Sequence, residues 1–426
     1  WAVYASAHPG SSPLPSPHQT MPANLTQWAC ALAAANDSVS RCDQCLWWQP
    51  APLVRPRSLS PVADTLSASN GRATLAWFMC VTTPEDKIAS RYFDLVKAAV
   101  MSARLHAPSL APYVVYLHRP HEPFAADPFV CWLQSAGVRV LRHRLSFHHE
   151  IPPARRKRRA DIGTAHLNLG AYGRLDVPRL VTGRLLTELQ ERKLSTEQVL
   201  YTDTDVLFAD DVDLLQQRLG APLRNFAAGT EYFSASMNSG VMLMNTSAFI
   251  REWPGMLSYA VSRKFRFLAA DQSWIHEYFT ERRGSPIAAE PGWEALSDEL
   301  YNARAFAHPL QPRRGAEQQV PRVWHWHGYK PHDVKCWLDA MRAGRWPLRG
   351  WRDETPNCRR GRCRWKPIIG SGCRYFGRIS LNPCYLRTYT YLLMQHLSLL
   401  QLADQLVLRN SSDGYCEAGI ASVKHQ

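Results

Sequence analysis

No run of eighteen apolar residues occurs in this 426-residue sequence, so nothing in it reads as a transmembrane helix. The apolar stretch Tyr391–Leu408 is broken by Gln395, His396, Gln401 and Asp404 and reads as an amphipathic helix. A signal peptide is missing too. The chain opens on Trp1 rather than Met, which leaves room for a membrane anchor upstream. Compact zinc quartets are absent: Cys42 and Cys45 form a lone CxxC with no second pair at suitable spacing. Neither a zinc-finger nor an RNA-binding signature accompanies the basic residues, and there is no internal repeat, so nucleic acid is disfavoured as a partner despite a net charge of +14.

What is present suits a large folded domain. A hydrophobic share of 46% and 15 Trp exclude a mostly disordered chain, and the length accommodates one α/β catalytic domain with accessory segments, or two ordinary domains. The tryptophans fit either sugar stacking or core packing. The positive balance points to anionic membrane surfaces, acidic glycans or nucleotides. Its densest run, Arg155–Arg159, reads as a solvated loop, with anion binding or proteolytic processing as alternatives. Six of the 11 cysteines, Cys336, Cys358, Cys363, Cys373, Cys384 and Cys416, fall in a Gly- and Arg-rich stretch that suggests disulfides and an oxidising compartment; the odd total leaves at least one thiol free or paired between chains. Glycosylation sequons begin at Asn24, Asn36, Asn245 and Asn410. Together with the cysteines they favour a glycoprotein of the secretory lumen, with the Golgi as the expected site.

Residues 1–70 are rich in Pro, Ser and Ala without a sustained period and read as a flexible stem. From Leu75 short apolar runs alternate with helical patterns: Leu75–Val81, Ile88–His106, Tyr113–Leu117, Pro128–Ser135 and Val138–Leu141. Strand, helix, strand, helix, strand implies a parallel sheet with crossover helices. A helical segment over Leu167–Lys193, interrupted near Pro178, precedes the strand Val199–Thr202; a further strand around Val241–Met244 and helices near Thr246–Ser262 and Asp271–Phe279 continue the pattern. The expected organisation is a lead-in over 1–70, a catalytic domain over 71–345 and a Cys-rich extension over 346–426.

Four constellations carry chemistry. Val199–Thr202 runs into Asp203-Thr204-Asp205. Open α/β sheets bind ligands beyond the carboxyl ends of their strands, where two acids one residue apart can clamp a hard divalent cation together with diphosphate oxygens. The bland alternative is a strand-end turn with solvated acids. The same string also fits a phosphatase that uses Asp203 as nucleophile, although that would require the motif on the first strand of the core. Next, Asn238-Ser239-Gly240 precedes a buried apolar run; it reads as turn chemistry or as a donor and acceptor for sugar hydroxyls. Asp271-Gln272 opens a helical pattern, as a cap or as a carboxylate and amide for the same task. Last, Trp324-His325-Trp326-His327-Gly328-Tyr329-Lys330-Pro331 combines an imidazole able to complete a cation site, a glycine that admits a phosphate and a lysine that can neutralise a departing diphosphate.

Taken in order, these blocks, with Gly170-Ala171-Tyr172-Gly173-Arg174-Leu175 before them, resemble the glycogenin-like retaining glycosyltransferases, carbohydrate-active enzyme glycosyltransferase family eight, over roughly residues 75–340. The resemblance implies a GT-A, Rossmann-like α/β fold with a mixed, mostly parallel central sheet flanked by helices. It implies that Asp203, Asp205 and His325 ligate Mn²⁺ or Mg²⁺, that Gly328 and Lys330 contact the donor diphosphate, and that Thr204, Ser239 and Gly240 line the same pocket. Arg174, Asn238, Asp271 and Gln272 would surround the donor sugar, with Gln272 or Asp271 steadying the oxocarbenium-like centre. Thr82 and Thr83, ending the first strand, occupy the nucleotide's place. The family has two residues between the motif glycine and lysine, whereas here only Tyr329 intervenes. The ligand is therefore His325 or His327, with the distance to Gly328 favouring His325. A UDP-sugar donor and a glycan, glycoprotein or glycolipid acceptor are implied as well, with a catalytically silent sugar- or nucleotide-binding protein as the alternative.

Overall fold

A computed structural model describes residues 74–82, 88–117, 128–152, 170–212, 215, 223–231, 236–267, 269–281, 292–305, 321–327, 330–335, 357–359, 362–364 and 383–410. The expected lead-in over 1–70, the basic run Arg155–Arg159, and Cys336, Cys373 and Cys416 lie outside the described residues, as do Thr83, Gly328 and Tyr329. The described residues fall into two compact units. The larger holds those between 74 and 305, with 321–327 and 396–410. The smaller holds 330–335, the antiparallel pair Asn357–Arg359 and Arg362–Arg364, in which Cys358 stands opposite Cys363, and 383–395. No helix among the described residues is long and apolar enough to cross a membrane.

The larger unit is built on continuous apolar strands. β1 (Leu75–Thr82) is buried along its length except for partly exposed Thr82, and β2 (Leu110–Leu117) is buried throughout. Strands covered on both faces lose the polar alternation of a half-solvated sheet, which is why these runs read as strands without a period of two. Helix α1 (Ile88–His106) links β1 to β2, and α2 (Pro128–Ser135) links β2 to β3 (Arg139–His143). Next come α3 (Val177–Thr182), α4 (Leu186–Glu191), β4 (Gln198–Thr202), β5 (Val206–Phe208), β6 (Phe226–Thr230) and β7 (Met237–Asn245). The helices α5 (Thr246–Ser262) and α6 (Ala270–Glu281), the short β8 (Glu294–Ala295), α7 (Asp298–Tyr301) and β9 (Val323–His325) complete the unit's core.

Seven strands form one sheet in the order β3-β2-β1-β4-β7-β6-β8, and β5 pairs with β9 separately. β3, β2, β1 and β4 are parallel, β7 is antiparallel to both β4 and β6, and β8 is parallel to β6. The sheet is thus mixed and mostly parallel with flanking helices, the α/β architecture expected from the sequence. Its direction pattern has a direct consequence: β1, β4 and β6 all end on the edge from which β7 starts. Strand order also reverses between β1 and β4, the place where open sheets of this kind leave a crevice for ligands.

The helical run over Leu167–Lys193 is interrupted just before Pro178, by the 3-10 turn Arg174–Asp176, and again at Gly183; Pro178 itself sits in the first turn of α3, where its missing N–H has no intrahelical partner to lose. One local expectation shifts. Asn238-Ser239-Gly240 is not a turn before the strand but part of β7 itself, with Asn238 opposite Gly229. Asn245, a sequon asparagine, caps α5: its side-chain oxygen accepts from the Ala248 N–H at 3.0 Å and its amide donates to the Leu223 carbonyl at 2.7 Å. Beneath α5 and α6, Phe147, Tyr172, Trp253, Phe265 and Trp274 pack ring on ring, with centroids 5.2 to 6.3 Å apart. Cys80 is a buried free thiol, and burial pushes it well above the ordinary cysteine range.

Candidate metal centre

β4 ends at Thr202, and the turn Asp203-Thr204-Asp205 leads directly into β5, whose partner β9 brings His325 opposite Val206. Two backbone bonds tie this turn down: the Asp203 N–H donates to the Gly240 carbonyl and the Trp326 N–H to the Asp205 carbonyl, both at 2.8 Å. The result is a cluster. His325 Nε2 lies 3.8 Å from Asp203 Oδ2 and 3.5 Å from Asp205 Oδ1, and one ligand atom from each of the three residues falls within 4.8 Å of the others. Ligands held ~2.1 Å from a shared octahedral ion stand about 3 Å apart when adjacent and wider when opposed, so the spacing fits a divalent cation. Two hard carboxylates with one imidazole suit Mn²⁺ or Mg²⁺ chemistry better than the thiolate sets that select zinc. Gly240 makes room for the imidazole: a Cβ there would lie 2.7 Å from His325 Nδ1 and 2.8 Å from Nε2.

Arg174, in the 3-10 turn Arg174–Asp176, reaches under the acidic turn and is only 3% exposed. Its Nη2 lies 2.8 Å from Asp203 Oδ1 and its Nε 2.8 Å from Asp271 Oδ2, while Nη1 donates to the Ser239 carbonyl. The guanidinium also lies over the Tyr201 ring, 4.6 Å from its centroid. One planar fork thus joins three sequence blocks. Burial disfavours its charge, but Asp203 and Asp271 outweigh that and hold it firmly protonated. Asp271, in the first turn of α6, shows the opposite balance. Burial pushes its carboxyl up to about 6 against the pull of Arg174, and Asp203 adds to the rise.

Next to it, Gln272 accepts from the Ser239 N–H at 3.2 Å and donates to Glu231 Oε1 at 3.0 Å. Glu231 follows the carboxyl end of β6 and also accepts from Asn238 Nδ2 at 2.7 Å. His327 Nε2 stands 3.5 Å from Glu231 Oε1, and the fully buried Arg304 has Nη1 3.3 Å from Glu231 Oε2. Burial would raise the Glu231 carboxyl, yet His327, the two amide donors and Arg304 hold it below the usual range. The ring of His327 is 5.5 Å from that of His325, so both histidines line one edge. They differ in role: His325 meets the paired acids and His327 meets Glu231.

Thus the structure gathers Arg174, Asp203, Thr204, Asp205, Asn238, Ser239, Gly240, Asp271, Gln272 and His325, and places Thr82 at the carboxyl end of β1, opposite Leu117 of β2. Thr83 and Gly328 lie outside the described residues. Lys330 belongs to the smaller unit, where its N–H donates to Asp333 Oδ2 at 3.0 Å. Sequence reasoning misses Glu231, Asn302 and Arg304. Glu231 does carry a signal: it is an acid just beyond an apolar strand, the same rule that singles out Asp203. Asn302 is the C-cap of the one-turn helix α7 and Arg304 lies two residues beyond, so the local signal there is a helix end rather than a site.

No family model matches the chain, and no curated protein matches it. Among solved structures it is similar to the apo glycosyltransferase GlyE of Streptococcus pneumoniae, at 17% identity and a TM-score of 0.38 over 61% of this chain; it spans 56% of that protein's chain. It is similar to the galactosyltransferase LgtC in complex with donor and acceptor sugar analogues, at 15% identity and a TM-score of 0.42 over 63% of this chain and 94% of that one. Mouse xyloside xylosyltransferase 1 matches at 11% identity and a TM-score of 0.38, over 60% of this chain and 98% of that one. Likenesses this distant decide nothing about activity; the chain's own side chains have to.

Proposed function

We propose that this protein is a divalent-metal-dependent glycosyltransferase of the GT-A type, moving a hexosyl or pentosyl unit from a UDP-sugar to a glycan, glycoprotein or glycolipid acceptor with retention of configuration. The observation that carries the reading is the Asp203–Asp205–His325 cluster at the carboxyl end of β4, where strand order reverses beside β1. Manganese or magnesium held there supplies charge neutralisation for the diphosphate as it leaves. Beside the cluster, Asn238, Ser239, Asp271, Gln272 and Glu231 present amides, a hydroxyl and carboxylates within one bonded network. Such a lining suits a polyhydroxylated sugar better than a phosphate alone, which needs cations and N–H donors.

Arg174 keeps Asp203 and Asp271 in fixed positions before the donor arrives, so little reorganisation remains for the bond-breaking step. Thr82 and Thr83 are assigned to the nucleotide and Gly328 with Lys330 to the phosphates. Asp271 and Gln272 are assigned to the anomeric centre. The cysteine pattern and sequons support a Golgi lumen location with disulfides in the C-terminal extension, and the +14 charge supports an anionic acceptor or carrier.

The test is nucleotide release from a panel of UDP- and GDP-sugars, with Mn²⁺ or with chelator, by the full chain and by Asp205→Ala. Release from one donor that requires Mn²⁺ and is lost in the variant is expected. Release indifferent to chelator and to the substitution would overturn the metal-dependent reading.

A further inference from the structure

A metal-binding imidazole must offer a lone pair from one nitrogen, and the partner of the other nitrogen decides which one is free. In this protein the decision can be traced through four side chains whose donors and acceptors have only one consistent arrangement. Glu231 is a carboxylate and only accepts, so the Asn238 group 2.7 Å from Oε1 is the amide Nδ2. The Gly240 N–H only donates, so the Asn238 group 3.0 Å from it is Oδ1. Both ends of Asn238 are thereby fixed. Its Oδ1 also faces Asn302 at 3.2 Å, so Asn302 presents Nδ2 to it and turns its own oxygen the other way. That oxygen lies 2.9 Å from His325 Nδ1. An amide oxygen only accepts, so Nδ1 carries a proton, and in the neutral imidazole, the form that binds a metal, Nε2 toward Asp203 and Asp205 keeps the lone pair.

We infer that Glu231, Asn238 and Asn302 form a hydrogen-bond relay whose function is to lock His325 in the Nδ1–H tautomer, with Asn302 as the positioning residue of the metal centre. The backbone is shaped around it. Asn302 is fully buried, and a Cβ on Gly229 would lie 2.9 Å from the Asn302 Cβ and closer still to its Nδ2. The corresponding clearance at Gly240 admits the imidazole itself. The relay starts at a residue that also holds Gln272 at 3.0 Å. Contacts in the sugar-facing part of the site are therefore bonded to the orientation of the cation ligand.

The inference rests on the proposed metal centre, and the experiment separates the two. The full chain, labelled with ¹⁵N-histidine and freed of metal by chelator, is subjected to long-range ¹H–¹⁵N spectroscopy at a pH well above the ordinary histidine pKa of ~6.5. The His325 signals are assigned by their loss in His325→Gln. The Nδ1–H tautomer is expected for the wild type; an Nε2–H tautomer overturns the relay. Mn²⁺ affinity is then measured by calorimetry for the wild type, Asn302→Leu and Asn302→Asp. Asn302→Leu removes the acceptor and should weaken Mn²⁺ by ~10- to 100-fold, while Asn302→Asp keeps an acceptor at His325 and should restore most of the affinity. Undiminished affinity in a folded Asn302→Leu overturns the inference. If that variant does not fold, Asn302→Asp and the wild-type tautomer decide, and an Asp variant as weak as His325→Gln counts against the relay. A wild type that binds no divalent cation sinks the metal reading, yet its tautomer still answers for the relay.

Discussion

Gly240 and His325 are in such close register that no side chain fits between them: a Cβ on Gly240 would fall 2.7 Å from Nδ1 and 2.8 Å from Nε2 of the ring, and nearer still to Cε1. The glycine belongs to β7 and the histidine to β9, strands that share no ladder. Their approach is what lets an imidazole from one sheet reach carboxylates at the end of another.

Gly240→Ala should therefore act as a metal-site lesion. The added methyl must push the imidazole aside or move β7, which is buried almost throughout and has no slack. A fall in Mn²⁺ affinity of ~10-fold or more is expected, with a stability cost of ~1–3 kcal/mol from overpacking. Calorimetric titration and thermal unfolding of the same samples check both numbers. Unchanged affinity would mean that the ring does not sit against Gly240.

Arg174 is the second pivot. With Asp203 and Asp271 each 2.8 Å from the guanidinium and Asp271 buried, removing the cation strands a carboxylate in the core. Arg174→Met should cost ~3–5 kcal/mol in urea unfolding. Arg174→Lys keeps the charge but loses the planar fork that spans both acids, so a smaller loss is expected, together with weaker Mn²⁺ binding because Asp203 is no longer held.

How legible the site is in the sequence depends on how local each signal is. The Asp203–Asp205 pair announces itself because both acids interrupt a continuous apolar run, and a buried strand has few reasons to end that way. Asn238-Ser239-Gly240 is recognisable as a site block but not as strand, since three small polar residues resemble a turn. What places them in β7 is pairing with Gly229 across a register shift in β6, a long-range fact. Asn302 is the limiting case. It stands 23 residues from His325, its local reading is no more than the C-cap of α7, and only the folded chain brings its oxygen to the ring. Choosing between His325 and His327 likewise requires knowing which acids lie beneath each.

Asp271 gives a dependence on pH that can be separated from the rest of the chain. Its carboxyl titrates near the ordinary aspartate value of 3.8 in the unfolded chain and at about 6 when folded. The folded state therefore binds the extra proton between those values, and stability from this group falls as pH rises through that window, levelling off above it. In chelated protein, Asp271→Asn removes the effect. The stability difference, variant minus wild type, should climb by ~3 kcal/mol between about pH 4 and pH 7. The slope is the readout, because the loss of the Arg174 contact adds only an offset. A flat difference would show that Arg174 keeps Asp271 ionised throughout.

Thr202, the last residue of β4, offers a way to loosen the sheet beneath the site without touching a proposed ligand. Its hydroxyl accepts from the indole N–H of Trp77 on β1 at 2.9 Å, and both side chains are fully buried. Thr202→Val is nearly isosteric but leaves that N–H with no acceptor in an apolar interior, a loss of ~1–3 kcal/mol. Mn²⁺ affinity should stay within about twofold of wild type, because the acidic turn is anchored separately by the Gly240 and Trp326 backbone bonds. Urea unfolding followed by tryptophan fluorescence, read beside a Mn²⁺ titration, checks the pair of outcomes. Should both quantities fall together, the register between β1 and β4 would itself be setting the cation site, and the backbone anchors would be too weak to hold Asp203 and Asp205 alone.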